Sequence, residues 1–460
     1  LNDWESFSLK RCWRVFSQPL RFARFRDRNM LFSDIQNQLN AIFPLKNDAV
    51  VFGLLMVILG LVFYTSSSQN PKLRAFYKYV PMLLMCYFLP SLLTLFHLVD
   101  PEESKLYFVA SRYFLPASLI LLTLSIDLQG ILRLGPKAVV MFFTGTIGVV
   151  LGGPIAVFIV AMFNPDLVSG ETWKGLSTVA GSWIGGGANQ AAMKSIFGPT
   201  DSLFSAMVAV DVLVAEFWMI FLLIGVGKAK SIDRFFKADS SSITELQEKM
   251  QKYSEGSQRI ASTTDWVVLC GIIFGGVGGC HLLADLVAPI LKEISTSYPD
   301  RFGFISKMSL DSSFFWLIIS STTLGLMLSF TKARSYEGVG AMKLGTLFIF
   351  ILVAVIGMNM NLRAVWEYPG YFLVGLIWMA FHVGLLFIVA LIIRAPYFFL
   401  AVGSKANIGG AASAPVVAGA FHPSLAPVGV LLATLGYALG TYGAYLAALM
   451  MKAVAPDAVD

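Results

Sequence analysis

Apolar and polar positions follow one another along this chain in long blocks. Ten apolar runs lie at about 49–66, 80–99, 111–126, 138–163, 203–226, 265–291, 314–330, 344–360, 371–393 and 425–451. Each is near the roughly 20 residues that a helix needs to cross a bilayer. Two further apolar segments, about 173–197 and 396–421, are broken by glycine, and each stands just before the last run of its half. Gly152-Gly153-Pro154 predicts a kink in the fourth run, because proline removes a helical hydrogen bond.

The pattern predicts an all-α polytopic membrane protein. It has about ten transmembrane helices in two inverted five-helix repeats, each repeat carrying one glycine-rich re-entrant or broken helix. The first repeat takes residues 48–227 and the second 265–452, with a tail at 453–460. Residues 228–264 between them are polar, and Glu245, Glu248, Lys249 and Lys252 fall at helical spacing, which reads as a solvated linker with a short surface helix. Residues 1–47 differ from the rest. Lys10, Arg11, Arg14, Arg21, Arg24, Arg26 and Arg28 alternate there with Trp4, Phe7, Trp13, Phe16, Phe22 and Phe25. Such a segment suits an amphipathic membrane-surface helix and equally the remnant of a targeting region.

The breaks are the most informative stretches. One reads Gly181-Ser182-Trp183-Ile184-Gly185-Gly186-Gly187-Ala188-Asn189-Gln190. The other reads Ser404-Lys405-Ala406-Asn407-Ile408-Gly409-Gly410-Ala411-Ala412-Ser413. Glycines at bilayer depth free backbone amides and carbonyls that lipid cannot satisfy, so such backbone is buried in protein or lines a wet cavity. Paired interruptions in corresponding places of two halves point to a transporter's binding site. Glycines also let helices pack closely, but packing alone does not call for the Asn, Gln and Ser that accompany them here.

Composition fits this picture. Of 460 residues, 56% are hydrophobic and 13% charged, against about 25% charged in soluble domains. The net charge of +6 lies mostly in loops and at the N-terminus, where it speaks to orientation rather than to nucleic acid. Cys12, Cys86, Cys270 and Cys280 lack metal-type spacing. If the broken segments do not cross, loops 67–79, 127–137, 228–264 and 331–343 share one side. They hold most of the Lys and Arg of the internal loops, and the acidic 100–104 loop falls opposite, as positive-inside orientation requires. The Arg-rich N-terminus then falls on the outside, against that rule.

No nucleophile elbow, HExxH or phosphate-binding lysine motif is present, so no enzyme and no cofactor is expected. Asp211 and Glu216 lie inside the fifth run. A charged carboxylate at mid-membrane costs at least about 2.5 kcal/mol and persists where it meets water, a cation or a proton. Asp127 ends the third run, and Asn359 and Asn361 end its counterpart. Their oxygens suit a hard cation such as Na⁺ as coupling ion, or are simply helix ends meeting water. Lys194 and Lys405 flank the breaks, placed either to attract an anion or to snorkel. His382 reads as a hydrogen-bonded packing residue.

Several motifs carry a resemblance: Arg394-Ala395-Pro396-Tyr397-Phe398-Phe399-Leu400-Ala401, Ala406-Asn407-Ile408-Gly409-Gly410, Ser413-Ala414-Pro415-Val416-Val417 and Gly436-Tyr437-Ala438-Leu439-Gly440-Thr441-Tyr442-Gly443, with Leu151-Gly152-Gly153-Pro154 and Ile184-Gly185-Gly186 in the first half. Over about residues 48–452 the chain resembles the YjcL-like membrane family, a domain-of-unknown-function group. That group is allied to the cation:proton antiporter and anion transporter superfamily, with its sodium–glutamate, citrate and bile-acid symporters. The resemblance implies inverted repeats, an elevator-like movement and hairpin tips that hold substrate. In this sequence the tips are Ser182, Gly185, Gly186 and Asn189, and Asn407, Gly409, Gly410 and Ser413. Many elevator relatives are dimers, so a homodimer is compatible with it.

The expected function is secondary active transport of a small organic anion coupled to Na⁺ or H⁺, with Asp211, Glu216, Asp127, Asn359 and Asn361 as candidates for the cation. The alternatives are a cation:proton antiporter and a non-transporting membrane subunit or scaffold. The expected location is the plasma membrane or a plastid-type organellar inner membrane.

Overall fold

The computed structural model describes residues 44–80, 82–238, 243, 246, 261–360 and 368–457. The Arg-rich stretch 1–43, most of the polar linker with its helically spaced charges, and Asn361 lie outside the described residues.

Among the described residues the chain is α-helical, and eight helices are long and apolar enough to cross a membrane, or ten if two sharply bent pairs each count as one span. The first half holds α1 (Asp48–Ser66), α2 (Pro71–Tyr79), α3 (Met82–Leu95), α4 (Leu106–Leu124), α5 (Leu128–Arg133), α6 (Pro136–Ala161), α7 (Thr172–Gly185), α8 (Gly187–Phe197) and α9 (Asp201–Gly227). A short helix, α10 (Ala229–Phe236), opens the linker. The second half holds α11 (Thr263–Ser297), α12 (Ser313–Ser329), α13 (Ala341–Met358), α14 (Gly370–Ile393), α15 (Tyr397–Asn407), α16 (Gly410–Phe421) and α17 (Ala426–Val454).

Local chemistry sets several boundaries. Asn47 caps α1 by accepting from the Ala49 amide, and Thr200 caps α9 with Asp201 in its first turn. These acceptors satisfy amides that a helix start leaves open. Ser262 and Asp265 form a reciprocal capping box at α11. Pro71 starts α2, which lies at 90° to α3. The kink expected at 152–154 is not a break: α6 runs on through Pro154. Gly152 and Gly153 instead admit the Trp378 ring, which a side chain at either position would strike. Trp378 Nε1 donates to the Val149 carbonyl at 2.8 Å.

The helices pack in two groups. α6 packs on α14 and α15, and α17 packs on α7 and α16. In the other group α4 packs on α12 and α13, α3 on α13, and α11 on α12. Four contacts tie distant loops together. Arg334 Nη2 meets Asp127 Oδ2 at 2.7 Å, and Lys137 Nζ donates to the Arg394 carbonyl at 3.0 Å. Lys452 Nζ donates to the Lys307 carbonyl at 2.9 Å, and the Gly170 amide to the Pro456 carbonyl at 3.3 Å.

Candidate functional site

Both glycine stretches interrupt their helices. Gly186 sits at φ +74°, Gly409 at +115° and Gly410 at +57°, a region that L side chains seldom adopt. At the first break α7 and α8 fold against each other; a side chain on Gly181 would lie 2.5 Å from the Asn189 carbonyl oxygen. α15 and α16 pack together likewise, and α7 touches both of them. Tyr437 of α17 stands between the breaks, its ring against Gly186 and its hydroxyl against the Ala411 backbone.

The buried acid Asp211, on α9, lies against the first break. Gln190 Nε2 donates to its Oδ2 at 2.8 Å, and Gln190 Oε1 accepts from the Tyr87 hydroxyl at 3.0 Å. Ser182 and Trp183 lie beside the same carboxylate. From the second break comes Lys405, fully buried, whose Nζ donates to the Ala215 carbonyl at 3.1 Å and stands 3.8 Å from Glu216 Oε1. Acid and base from different elements thus share one dry region, where charges act on each other far more strongly than in water.

Among the described residues, only Trp183 Nε1 and Ser413 Oγ are buried side-chain polar atoms that complete no hydrogen bond. One lies in each break. The Trp183 ring nitrogen is near the Asp211 carboxylate without reaching bonding geometry. Ser413 Oγ and Lys405 Nζ crowd the same glycine, Gly409, where a side chain would collide with the first and come within 3.2 Å of the second. An ammonium has three N–H donors, and Lys405 engages one of them at hydrogen-bond distance. The unmet capacity here is therefore donor capacity at Trp183 and Lys405, and both donor and acceptor capacity at the Ser413 hydroxyl.

The two asparagines of the breaks do a different job in this conformation. Asn189 Nδ2 donates to the Gly185 and Tyr437 carbonyls at 3.0 and 3.2 Å, and its Oδ1 accepts from Thr441 at 2.5 Å. Asn407 Nδ2 donates to the Phe142 and Gly403 carbonyls, both at 3.0 Å, and its Oδ1 accepts from Thr146 at 2.7 Å. Asn189 spans the first break, tying the start of α8 to the end of α7 and to α17, while Asn407 ties α15, four residues back, to α6.

The remaining candidates sit elsewhere. Asp127 caps α5 by accepting from the Gly130 amide at 2.8 Å and pairs with Arg334. Asn359 gives its amide to the Val355 carbonyl at 2.8 Å, at the end of α13. Lys194 is buried, paired with Asp201 at 2.8 Å and placed over the Tyr107 and Phe204 rings. His382 bonds the Gly145 carbonyl through Nδ1 and Ser404 Oγ through Nε2, and Ser404 also accepts from Trp218. The carbonyl can only accept, so Nδ1 carries a proton. Tyr87, Trp183 and Tyr437 had no distinguishing sequence signal beyond the last two lying in quoted motifs.

Fold and site together define a multi-pass, all-α integral membrane protein with two facing broken helices. Its residues 53–454 match the family described as Protein of unknown function (DUF819), and the chain belongs to that family. It is also similar to the Uncharacterized membrane protein YjcL of Bacillus subtilis (strain 168), at 26% identity over 356 residues, which cover 75% of this chain and 83% of the relative.

Proposed function

We propose that the protein is a secondary active transporter that moves a small organic anion together with H⁺ or Na⁺. The observation that carries this reading is the burial of Asp211 beside the first break and of Lys405 in the second, close enough for their charges to act on each other without a direct ion pair, with two buried polar atoms nearby that complete no hydrogen bond. The spare N–H donors of the Lys405 ammonium, with the Ser413 hydroxyl beside them, favour a ligand that brings oxygens, such as a carboxylate. An anion entering there also meets the Asp211 charge. Like charges repel strongly in a dry site, so the anion enters best when a proton or cation neutralises Asp211. That coupling favours symport over antiport.

The loop contacts support re-entrant breaks. Between Asp127 and Arg334 lie the spans α6, α9, α11 and α12, plus the first break. Between Lys307 and Lys452 lie α12, α13, α14 and α17, plus the second break. An even number of spans returns the chain to its starting side only if the break does not cross. By the same count the first break opens from one face and the second from the other, which favours inverted halves. The two packed groups suit an elevator-like movement, with the breaks, α6, α9, α14 and α17 as the mobile body.

The test is uptake into proteoliposomes from a mixture of small carboxylates, driven by a pH or Na⁺ gradient. The expected result is gradient-driven accumulation that loses its dependence on the gradient in Asp211→Asn. Accumulation whose ion dependence survives that substitution would refute the assignment of Asp211.

A further inference from the structure

We infer that Tyr87 and Gln190 form a tether through which the charge on Asp211 sets how firmly α8 is held to α3. The inference rests on the reading of Asp211 as the coupling acid, and it makes Tyr87 a positioning residue for that acid.

The chemistry fixes the direction of the chain. An ionised carboxylate only accepts hydrogen bonds. Gln190 must therefore turn its amide nitrogen to Asp211, at 2.8 Å, and its oxygen to Tyr87, at 3.0 Å, where the phenol donates. The phenol is held firmly. Tyr87 is 1% exposed, and its backbone lies so close to Gly357 of α13 that a side chain on that glycine would strike it. The tether thus runs from the α3–α13 group, through the first limb beyond the break, to the acid on α9.

Charge-assisted hydrogen bonds are about twice as strong as neutral ones, and linked bonds polarise one another. Neutralising Asp211 therefore weakens both links, not only the nearer one. The groups facing Asp211 are Ser182 and Trp183 from α7, Gln190 from α8, Tyr87 from α3 with Cys86 beside it, and Lys405 from α15, which itself faces Glu216 of α9. Lys194, farther along α8, makes its own tie to Asp201. In this arrangement an empty, charged Asp211 pins α8 to α3, and a loaded Asp211 releases it. Loading then precedes movement.

The experiment is hydrogen–deuterium exchange on the full chain in nanodiscs, between about pH 5 and pH 8, corrected for intrinsic amide rates. The expected result is a several-fold rise in α8 exchange towards low pH in the wild type. Asp211→Asn and Tyr87→Phe should each show the raised level at every pH. Should Asp211→Asn fail to fold, Gln190→Met, which keeps the bulk and removes both bonds, serves in its place with the same expectation. Wild-type exchange that is flat with pH, or a pH response retained in Tyr87→Phe, would overturn the tether. Transport can succeed while the tether fails, because flux and exchange are read separately.

Discussion

The Asp127 carboxylate and the Arg334 guanidinium meet at 2.7 Å, joining the loop after α4 to the loop after α12. If the breaks are hairpins, this pair marks one membrane face and the Lys452–Lys307 contact marks the other. Single cysteines placed at Lys332 and at the exposed Leu132, in a background lacking the native cysteines, should react with an impermeant thiol reagent from one side. Cysteines at Ser104 and Lys307 should react from the opposite side. Labelling of the Lys332 and Leu132 positions from different sides would contradict the hairpin reading.

The glycines of the first break differ in what surrounds them. A side chain on Gly185 would collide with the Asn189 amide and lie 2.6 Å from the Gly436 carbonyl oxygen, whereas one on Gly187 would meet only Ile349, at 3.6 Å. Overpacking of this kind costs about 1–3 kcal/mol. Gly185→Ala should lower the melting temperature clearly, and Gly187→Ala should leave it nearly unchanged. Equal effects would mean that the tip is looser than described.

Asn189→Ala and Asn407→Ala test the pinning role. Each leaves two backbone carbonyls and a threonine hydroxyl without their amide partner. A lost buried partner costs about 1–3 kcal/mol, with membrane interiors towards the low end. Both variants should be destabilised by a similar amount in denaturant or thermal unfolding. A variant that kept full stability while losing anion binding would instead place that asparagine in direct contact with the ligand.

Asp233 gives a prediction outside the membrane. Its Oδ1 accepts from the Tyr397 amide at 2.7 Å, at the start of α15. Burial pushes its carboxyl above the ordinary aspartate range, and the Tyr397 bond only partly offsets this. A raised acid is easier to keep neutral in the folded state, so ionising it costs stability. The cost is absent below the unfolded value of about 3.9 and grows as pH rises through the folded value. Asp233→Asn keeps an oxygen acceptor for Tyr397 and carries no charge. Its melting temperature should match wild type near pH 4 and exceed it near pH 7; a deficit that widens with pH would reverse the sign.

Much of the fold was legible because bilayer-spanning helices are written as long apolar runs, and the breaks because glycine beside Asn and Ser is so unlike those runs. The use of individual side chains was less legible. Asn189 and Asn407 look like ligand groups in a list of residues, yet each spends its amide on a carbonyl four residues back and on a neighbouring helix. Asp127 reads in the sequence as a helix-end acid; it caps α5, and its pair with Arg334 depends on a loop in the second half of the chain. Tyr87 sits in a run where an aromatic residue looks like any other, since hydropathy does not say which way a span is turned. Gly152-Gly153-Pro154 drew attention as a proline inside an apolar run, but the Trp378 ring that fills the glycine gap comes from α14, far along the chain.

The central claim is that Lys405 and Asp211 bind an anion and a neutralising cation side by side. Thermal unfolding of the purified protein with a panel of small carboxylates, at two pH values and with or without Na⁺, tests it most directly, because a ligand that binds the native state raises its stability. The account predicts that at least one carboxylate raises the melting temperature of the wild type, and more so at low pH or with Na⁺. That stabilisation should vanish in Lys405→Met, and in Asp211→Asn it should no longer depend on pH or Na⁺. No stabilisation by any carboxylate, or the same stabilisation in Lys405→Met, would contradict it.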